Sequence, residues 1–214
     1  MKKGLLVAPS FPADSFWSYK HILKYVGRQA AFPPLGLLTF AAYLSPEEWE
    51  LQLLDLNVRP PSDKKLRELI QEADAVFTGA MNIQRDSLVE LLDGPAKGTD
   101  TPWVLGGPIA STYRDTILNP TTESDRILHN GLDYLVWGEA EPWIDELLEA
   151  LDEQPRHSSG KPDIFIPQRV LDEGPGSRKY LLDKEIFRPL DTVPLPRWDL
   201  LDVMDYRVMM IQTT

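Results

Sequence analysis

Three short apolar runs in this chain each reach a glycine followed by small or polar residues. These runs occupy residues 75–81, 103–108 and 134–141. Apolar runs of this length, bounded by glycine and proline, are typical of parallel strands buried on both faces. Glycine just past a strand lets another molecule approach the backbone, because it has no Cβ. Three such ends side by side predict a ligand-binding edge at the carboxyl ends of a parallel sheet.

Strand patterns alternate with helical patterns five times along the first 151 residues. The predicted strands are 4–8, 50–56, 75–78, 103–105 and 134–137; the predicted helices are 35–44, 63–72, 83–92, a weaker one within 113–118, and 143–151. A helical turn is expected at 21–25, and another within the polar connection 119–130. This alternation predicts an α/β fold: a flavodoxin- or Rossmann-like doubly wound five-stranded parallel sheet in the order 2-1-3-4-5, with an irregular C-terminal extension.

The character of the sequence changes after Asp152. Residues 154–160 are typical of a linker, and residues 164–166 and 180–182 are predicted to form a hairpin or edge strands. Three prolines exclude a helix over 189–198, a helical turn is expected at 199–206, and a new apolar run starts at 207. We therefore expect a domain over residues 1–151 and a linker or extension over 152–214. The late apolar run also suggests that the chain is a piece of a longer protein.

Charge and composition exclude several classes of function. The chain of 214 residues has 22 basic and 33 acidic side chains, a net charge of -11, which argues against a nucleic-acid partner. No apolar run approaches the ~18 residues of a membrane span, and Pro9 interrupts the first one too early for a signal peptide. The absence of cysteine excludes disulfides, zinc–thiolate sites and iron–sulfur ligation within these residues. We expect a cytoplasmic protein without a membrane span.

The common nucleotide motifs do not occur at the strand ends. The first strand runs into Ala8-Pro9-Ser10-Phe11-Pro12, which lacks the Gly-x-Gly-x-x-Gly pattern that binds a pyrophosphate. Asp55 could mimic a ribose-binding acid, but it has no such glycines beside it. The third strand ends in Thr78-Gly79 instead of the aspartate of a phospho-receiver, and the chain contains no P-loop.

A long loop from Pro9 to Pro34 follows the first strand and is rich in aromatic residues. Its aromatic residues include Phe11, Phe16, Trp17, Tyr19 and Tyr25. A floor of glycines beneath such a loop suits a flat, bulky ligand with many amide edges. The alternative is that Gly79, Gly106, Gly107 and Gly138 only form tight turns between strands and helices, and the two interpretations carry about equal weight.

Several motifs occur in an order that resembles a known family. They are Phe32-Pro33-Pro34-Leu35-Gly36-Leu37-Leu38, Asp55-Leu56-Asn57, Gly79-Ala80-Met81 with Gln84-Arg85-Asp86-Ser87, Gly106-Gly107-Pro108, Gly138-Glu139-Ala140-Glu141, the segment 192–201 and Ile211-Gln212-Thr213-Thr214. Together they resemble the N-terminal cobalamin-binding domain of B12-dependent radical S-adenosylmethionine enzymes. No single motif is specific; their order and spacing carry the resemblance, which extends over essentially the whole chain.

The resemblance implies cofactors and a second domain. Cobalamin would be the cofactor of this domain, held base-off and without a histidine ligand, because none of His21, His129 and His157 lies in the Asp-x-His-x-x-Gly pattern of methionine-synthase-like domains. A radical domain with a [4Fe-4S] cluster and S-adenosylmethionine would follow Thr214. The intact enzyme would transfer a methyl group to an unactivated carbon, with a rearrangement or a cyclisation left open. This chain alone would not be catalytic.

The resemblance also implies a set of cofactor-binding residues around the strand ends. The set comprises Ser10, Trp17, Tyr19, Gly79, Ala80, Met81, Asn82, Gln84, Gly106, Gly107, Pro108, Gly138, Glu139 and Ala140. Trp17 and Tyr19 are expected to pack against the corrin ring, and Asn82 or Gln84 to offer amide hydrogen bonds.

Some residues keep two interpretations. Glu139 could accept a hydrogen bond from the cofactor or favour the next helix by its charge. Arg85 could pair with the cofactor phosphate or form a salt bridge to Asp86 or Asp55. The tryptophans at 49, 103 and 137 are expected in the core. The alternative function is a non-catalytic flavodoxin-like module that binds a nucleotide or a flavin.

Overall fold

The computed structural model describes residues 1–153, the backbone of 163–165, and residues 193–208. In these residues the strands are β1 (Lys2–Ala8), β2 (Trp49–Asp55), β3 (Ala75–Gly79), β4 (Trp103–Gly106), β5 (Tyr134–Val136) and β6 (Asp163–Phe165). The α-helices are α1 (Lys20–Val26), α2 (Leu35–Ala42), α3 (Asp63–Glu72), α4 (Arg85–Asp93), α5 (Pro108–Leu118), α6 (Glu123–Gly131) and α7 (Ile144–Glu153). Short 3₁₀ helices lie at 16–18, 82–84, 141–143, 198–200 and 203–205.

The strands form one parallel sheet in the order β2-β1-β3-β4-β5-β6. The predicted doubly wound order of the first five strands is therefore confirmed. The sixth strand adds to β5, with Leu135 opposite Ile164. It lies in one of the two segments predicted to form a hairpin or edge strands, whereas residues 180–182 are outside the described residues.

Two hydrophobic cores lie on the two faces of the sheet. Side chains alternate along β1, so Leu5 and Val7 join one core and Leu6 and Ala8 join the other. Helices α3, α4, α5 and α6 cover the first face, and α2 and α7 cover the second. The near-continuous burial of β1, β3 and β4 explains why their sequences are unbroken apolar runs.

Two helices in the second half of the domain exceed their predictions. Helix α5 begins at Pro108, five residues before the predicted region, because Gly107 reaches a φ of 79° and Pro108 fits the first helical turn. The predicted single turn within 119–130 is the nine-residue helix α6. Its polar sequence conceals an N-cap: Thr122 Oγ1 accepts from the Asp125 N–H, and Asp125 accepts from the Thr122 N–H.

Residues 193–208, here called the C-terminal strap, return to the start of the chain. The backbone carbonyl of Asp205 accepts hydrogen bonds from Gln29 and Ala30, and the carbonyls of Ala30 and Ala31 accept from Arg207 and Val208. The Arg197 N–H donates to the carbonyl of Leu38 at 3.1 Å. The strap therefore joins the far end of the Pro9–Pro34 loop and α2. The helical turn expected at 199–206 takes the form of the 3₁₀ helices at 198–200 and 203–205.

Candidate functional site at the carboxyl edge of the sheet

The loops after β3 and β4 touch where these two strands end. Gly79 is the register partner of Gly106, and the Ile109 N–H donates to the Ala80 carbonyl at 3.1 Å. A Cβ on Gly107 would lie 3.3 Å from the backbone N and O of Ala80, so this contact requires glycine. The predicted meeting of these two glycine-ended strands is thus a tight backbone junction.

Open space remains beside two of the glycines. A Cβ built on Gly106 or on Gly138 meets no heavy atom within 4 Å. Gly138 has a φ of 80°, and its N–H donates to the Ser111 Oγ of α5 at 3.2 Å. Ser111 therefore ties the turn after β5 to the helix that follows β4. We call this open surface at the ends of β4 and β5 the glycine groove.

The predicted residues around this groove differ in exposure. Those that are exposed are Met81, Asn82, Gly107, Pro108, Gly138 and Glu139. Those that are partly or fully buried are Gly79, Ala80, Gly106 and Ala140. Desolvation, and then the charge of Glu141, raise the pKa of Glu139.

Gln84 has a different setting from its neighbours. Its side chain is 4% exposed. Its Oε1 accepts from the Met81 N–H at 2.8 Å, and its Nε2 donates to the Pro9 carbonyl. Both ends of the amide are thus bonded to the protein backbone. Gln84 links the loop after β3 to the loop after β1.

Side chains from helix α4 and from the loop after β2 hold the start of the loop after β1. The Ser10 N–H donates to Ser87 Oγ at 3.0 Å, and the two hydroxyl oxygens lie 2.9 Å apart. On the other side, Asn57 Oδ1 accepts from the Phe11 N–H at 2.7 Å, and Asn57 Nδ2 donates to the Pro9 carbonyl at 3.2 Å. Residues 9–11 are thereby fixed between helix α4 and the loop after β2.

Asp55, the last residue of β2, orients Asn57. Its Oδ1 accepts from the Asn57 N–H at 2.8 Å and from the Asn57 Nδ2 at 2.7 Å. Its Oδ2 accepts from the Tyr206 hydroxyl of the C-terminal strap at 2.9 Å. Burial raises the pKa of Asp55 despite these hydrogen bonds, and burial together with the Asp55 charge raises the pKa of Tyr206.

An aromatic cluster stands further along the same loop. Phe32 lies against both Trp17 and Tyr19, with ring centroids 6.2 Å and 5.6 Å apart. Phe16 extends this cluster and is 74% exposed, while Trp17 is 40% exposed. A cleft of about 550 Å³ lies between this cluster, α1 and the residues that follow β1 and β2. Of the two aromatic residues expected against the cofactor, Trp17 is thus exposed and Tyr19 is half-buried.

Arg85 forms the suggested salt bridge to Asp86 and a shorter one to Asp125, which the sequence did not suggest. Its guanidinium bonds Asp125 of α6, with Nη2 2.6 Å from Oδ1, and its nearest approach to Asp86 is 3.8 Å. Tyr113 lies 5.3 Å from the guanidinium carbon, across the ring face. Asp55 bonds Tyr206 and Asn57 instead. Arg85 therefore connects α4, α5 and α6, which cover the same face of the sheet.

Two of the three tryptophan predictions are confirmed, and the structure describes two of the three histidines. Trp49 and Trp103 are buried in the core, as expected, whereas Trp137 is half-buried and packs against the Arg114 guanidinium. His21 is exposed on α1, and the Nδ1 of His129 bonds the Ile117 carbonyl at 2.8 Å. His157 lies outside the described residues. Among the described residues, no three acidic or histidine side chains are grouped to hold a metal ion.

Three residues that hold or orient the loop after β1 were not singled out in the sequence. Asn57, Ser87 and Tyr206 hold the loop after β1 or orient the residue that holds it. Asn57 and Ser87 belong to motifs that carried the family resemblance, and Asn57 is also a polar residue just after a strand, which was the available signal. Nothing in the local sequence around Tyr206 indicates a partner 151 residues earlier in the chain.

Together these observations define a doubly wound α/β domain with open surface beside the glycines at the carboxyl edge of its sheet. The B12 binding domain family matches residues 28–148, more than half of the chain. The chain belongs to this family. The matched residues include the glycine-ended strands β3, β4 and β5, and the alternative of a flavin or nucleotide module is not favoured.

Two relatives extend the comparison over almost the whole chain. An uncharacterized methyltransferase from Synechocystis sp. is 32% identical over 210 residues, which is 98% of this chain and 32% of that protein. The hopanoid C-2 methylase from Rhodopseudomonas palustris is 31% identical over 212 residues, 99% of this chain and 33% of that protein. The chain spans about a third of the length of these curated relatives. No solved structure matches it. In the described part of the chain, no helix is both long and apolar enough to cross a membrane.

Proposed function

We propose that this domain binds cobalamin over the carboxyl edge of its sheet, within a longer B12-dependent radical S-adenosylmethionine enzyme that transfers a methyl group to carbon. The observation that carries the proposal is the B12 binding domain match over strands whose ends form the glycine-lined groove. The names of the two relatives, a methyltransferase and a methylase, support the type of reaction. A [4Fe-4S] cluster and S-adenosylmethionine would belong to the remainder of that enzyme, which we place in the cytoplasm.

The residues present fit the cofactor. The open space beside Gly106 and Gly138 would receive the nucleotide tail, with the exposed amide of Asn82 available for a hydrogen bond. Residues 79–81, 106–108 and 138–140 would line the tail and close the far side. When bound, cobalamin supplies a cobalt centre that can carry a methyl group.

The loop after β1 would lie beneath the corrin ring. Trp17 and Tyr19 would pack against it and exclude water. The fixed segment 9–11 contains no histidine, and the only histidine of the loop, His21, lies exposed on α1. These features support a cofactor bound without a protein ligand to cobalt, and the base-off state is proposed from the family resemblance alone.

Gly106 offers a direct test of the groove. Replacement by leucine would fill the groove without straining the backbone, since no heavy atom lies within 4 Å of the new Cβ and the residue has no positive φ. Hydroxocobalamin is titrated into the purified chain and bound cofactor is measured by its visible spectrum after desalting. We expect the wild-type chain to retain cobalamin and Gly106→Leu to bind at least about ten-fold more weakly.

The matched control is Gln71→Leu, which adds the same side chain at an exposed position at the end of α3. Circular dichroism and thermal unfolding establish that both variants are folded. Equal cobalamin retention by the wild type and Gly106→Leu would exclude the groove as the tail site. A folded wild-type chain that retains no cobalamin would contradict binding by this domain.

A further inference from the structure

Two amide side chains donate hydrogen bonds to a single backbone carbonyl at the start of the loop after β1. The Pro9 carbonyl accepts from Gln84 Nε2 and from Asn57 Nδ2. Pro9 has no N–H of its own and is buried, so its carbonyl is the polar group through which this residue can be held. The two donors lie in the loops that follow the strands adjacent to β1. Gln84 is in the loop after β3, and Asn57 is in the loop after β2.

The other end of each amide fixes a second backbone group. Gln84 Oε1 accepts from the Met81 N–H, and Asn57 Oδ1 accepts from the Phe11 N–H. Each side chain therefore bridges two backbone sites instead of filling space. The bridge made by Gln84 joins the loop after β1 to the loop after β3. Under the proposed function these loops contact opposite parts of the cofactor: residues 10–19 lie below the ring, and residues 79–81 lie beside the tail.

The amides are also fixed in orientation. Gln84 is 4% exposed and each polar atom of its amide has a backbone partner. Asn57 donates to Asp55, whose other oxygen accepts from Tyr206 of the strap. A continuous series of hydrogen bonds therefore runs from the strap, through the end of β2 and the loop after β1, to the loop after β3.

We propose that Gln84 and Asn57 are positioning residues that set the loop after β1 relative to the glycine groove and thereby set the affinity for cobalamin. This inference rests on the proposed function. Neither side chain needs to touch the cofactor: each acts through the Pro9 carbonyl. The loop carries Trp17 and Tyr19, so a shift of residues 9–11 moves the surface that would face the corrin ring.

The first test is Gln84→Leu, which keeps a side chain of similar size and removes both hydrogen bonds. We expect at least about ten-fold weaker binding of hydroxocobalamin. We also expect faster amide hydrogen exchange in residues 10–19 of the cofactor-free protein. Gln71→Leu, the same substitution at an exposed site on α3, is expected to change neither quantity.

The second test separates the hydrogen bond to Pro9 from packing. In Gln84→Glu, a protonated carboxyl can still donate to the Pro9 carbonyl and accept from the Met81 N–H, whereas the carboxylate cannot donate. Burial raises the pKa of such a carboxyl. We expect cobalamin affinity of this variant to approach the wild-type value at low pH and to fall as pH rises, while the wild-type affinity changes less over the same range.

The outcomes distinguish the two proposals. A wild-type chain that binds no cobalamin contradicts the proposed function and this inference together. A wild-type chain that binds while Gln84→Leu binds equally, with unchanged exchange in residues 10–19, overturns the inference alone. If Gln84→Leu fails to fold, Gln84→Glu decides: a pH dependence beyond that of the wild type supports the role of the Pro9 hydrogen bond, and an identical pH dependence overturns it.

Discussion

Asp55 is a carboxylate at the carboxyl edge of the sheet that is surrounded by hydrogen-bond donors. Its carboxylate accepts two hydrogen bonds from Asn57 and one from Tyr206. Each of these bonds favours the charged form, yet burial outweighs them and raises the pKa of Asp55 above its ordinary value. Burial therefore makes the charged form of Asp55 less favourable in the folded protein than in the unfolded chain.

This raised pKa has a defined consequence for stability. A carboxyl whose folded pKa lies above its unfolded value stabilises the fold below the unfolded pKa, and that contribution is lost as pH rises through the folded pKa. Asn cannot ionise, so Asp55→Asn does not lose it. We expect the stability of Asp55→Asn relative to the wild type to improve between pH 4 and pH 7, as measured by urea unfolding at each pH.

Asp125 provides the opposite comparison. The hydrogen bond from Thr122, followed by those of its other partners, lowers the pKa of Asp125, so its contribution is present above the unfolded pKa and is lost as pH falls. Asp125→Asn should therefore lose stability relative to the wild type as pH rises to the unfolded pKa of about 4, and should show little further change between pH 4 and pH 7. A relative stability of Asp55→Asn that stays flat or falls between pH 4 and pH 7 would contradict the assignment of a raised pKa.

Individual glycines were predictable from the sequence, but their separate roles were not. The sequence placed Gly79, Gly106, Gly107 and Gly138 together at strand ends. Only the backbone reveals that Gly107 is required by the contact with Ala80, whereas Gly106 leaves open space. Such a difference depends on φ and on the neighbouring strand, neither of which a local pattern specifies. Which of these residues contact cobalamin remains a prediction.

Helix α6 depends on one buried carboxylate at its start. Asp125 is 4% exposed and accepts from Thr122 Oγ1 at 2.7 Å and from Arg85 Nη2 at 2.6 Å. The first bond closes the N-terminal cap of α6, and the second connects α6 to α4. A single side chain thus satisfies the end of one helix and a partly buried guanidinium on another.

We expect Asp125→Ala to destabilise the domain by about 3 kcal/mol, because it leaves Arg85 partly buried without this partner and removes half of the cap. Urea unfolding followed by far-UV circular dichroism measures the change. Arg126→Ala, on the same helix, removes an exposed ion pair with Glu123 and should cost less than about 0.5 kcal/mol. Equal costs for the two variants would show that the Asp125 network contributes no more than a surface pair.

Helices with a clear apolar periodicity were predicted close to their observed bounds, whereas helices with a polar sequence were predicted too short. Helix α3 was predicted at its observed bounds, since Ser62 caps it and Leu66 and Ile70 recur on its buried face. Helix α6 was underestimated because its sequence offers few buried apolar residues and its start is stabilised by a cap and an inter-helix ion pair. The ion pair joins residues 40 positions apart, and local apolar periodicity reveals neither it nor the cap.

At the scale of the molecule, the sheet order followed from the alternation of strands and helices and from right-handed crossovers. The contacts of the strap did not, because they join residues 193–208 to segments more than 140 positions earlier. Five of its contacts are the hydrogen bond from Tyr206 to Asp55 and four backbone bonds with residues 29–31. The strap is thus in part a component of the carboxyl edge of the sheet.

We expect removal of residues 193–214 to lower the melting temperature by roughly 5–10 °C. Five hydrogen bonds contribute on the order of 1 kcal/mol each, and the entropy of ordering the strap offsets about half of that sum. A change of 2–3 kcal/mol shifts the melting temperature of a domain of this size by the stated amount. Amide exchange should quicken in residues 28–32, which bond the strap directly, and more weakly in residues 9–11, which depend on Asp55 through Asn57.

A chain that ends at Val208 is the control, because it keeps every described strap contact and removes only residues 209–214. Its melting temperature and exchange pattern should match those of the full chain. If the chain lacking 193–214 unfolded at the same temperature with the same protection in 28–32, the strap would add nothing to the edge. If protection fell in 28–32 but not in 9–11, Asp55 would hold Asn57 without help from Tyr206, and the series of hydrogen bonds would end at β2.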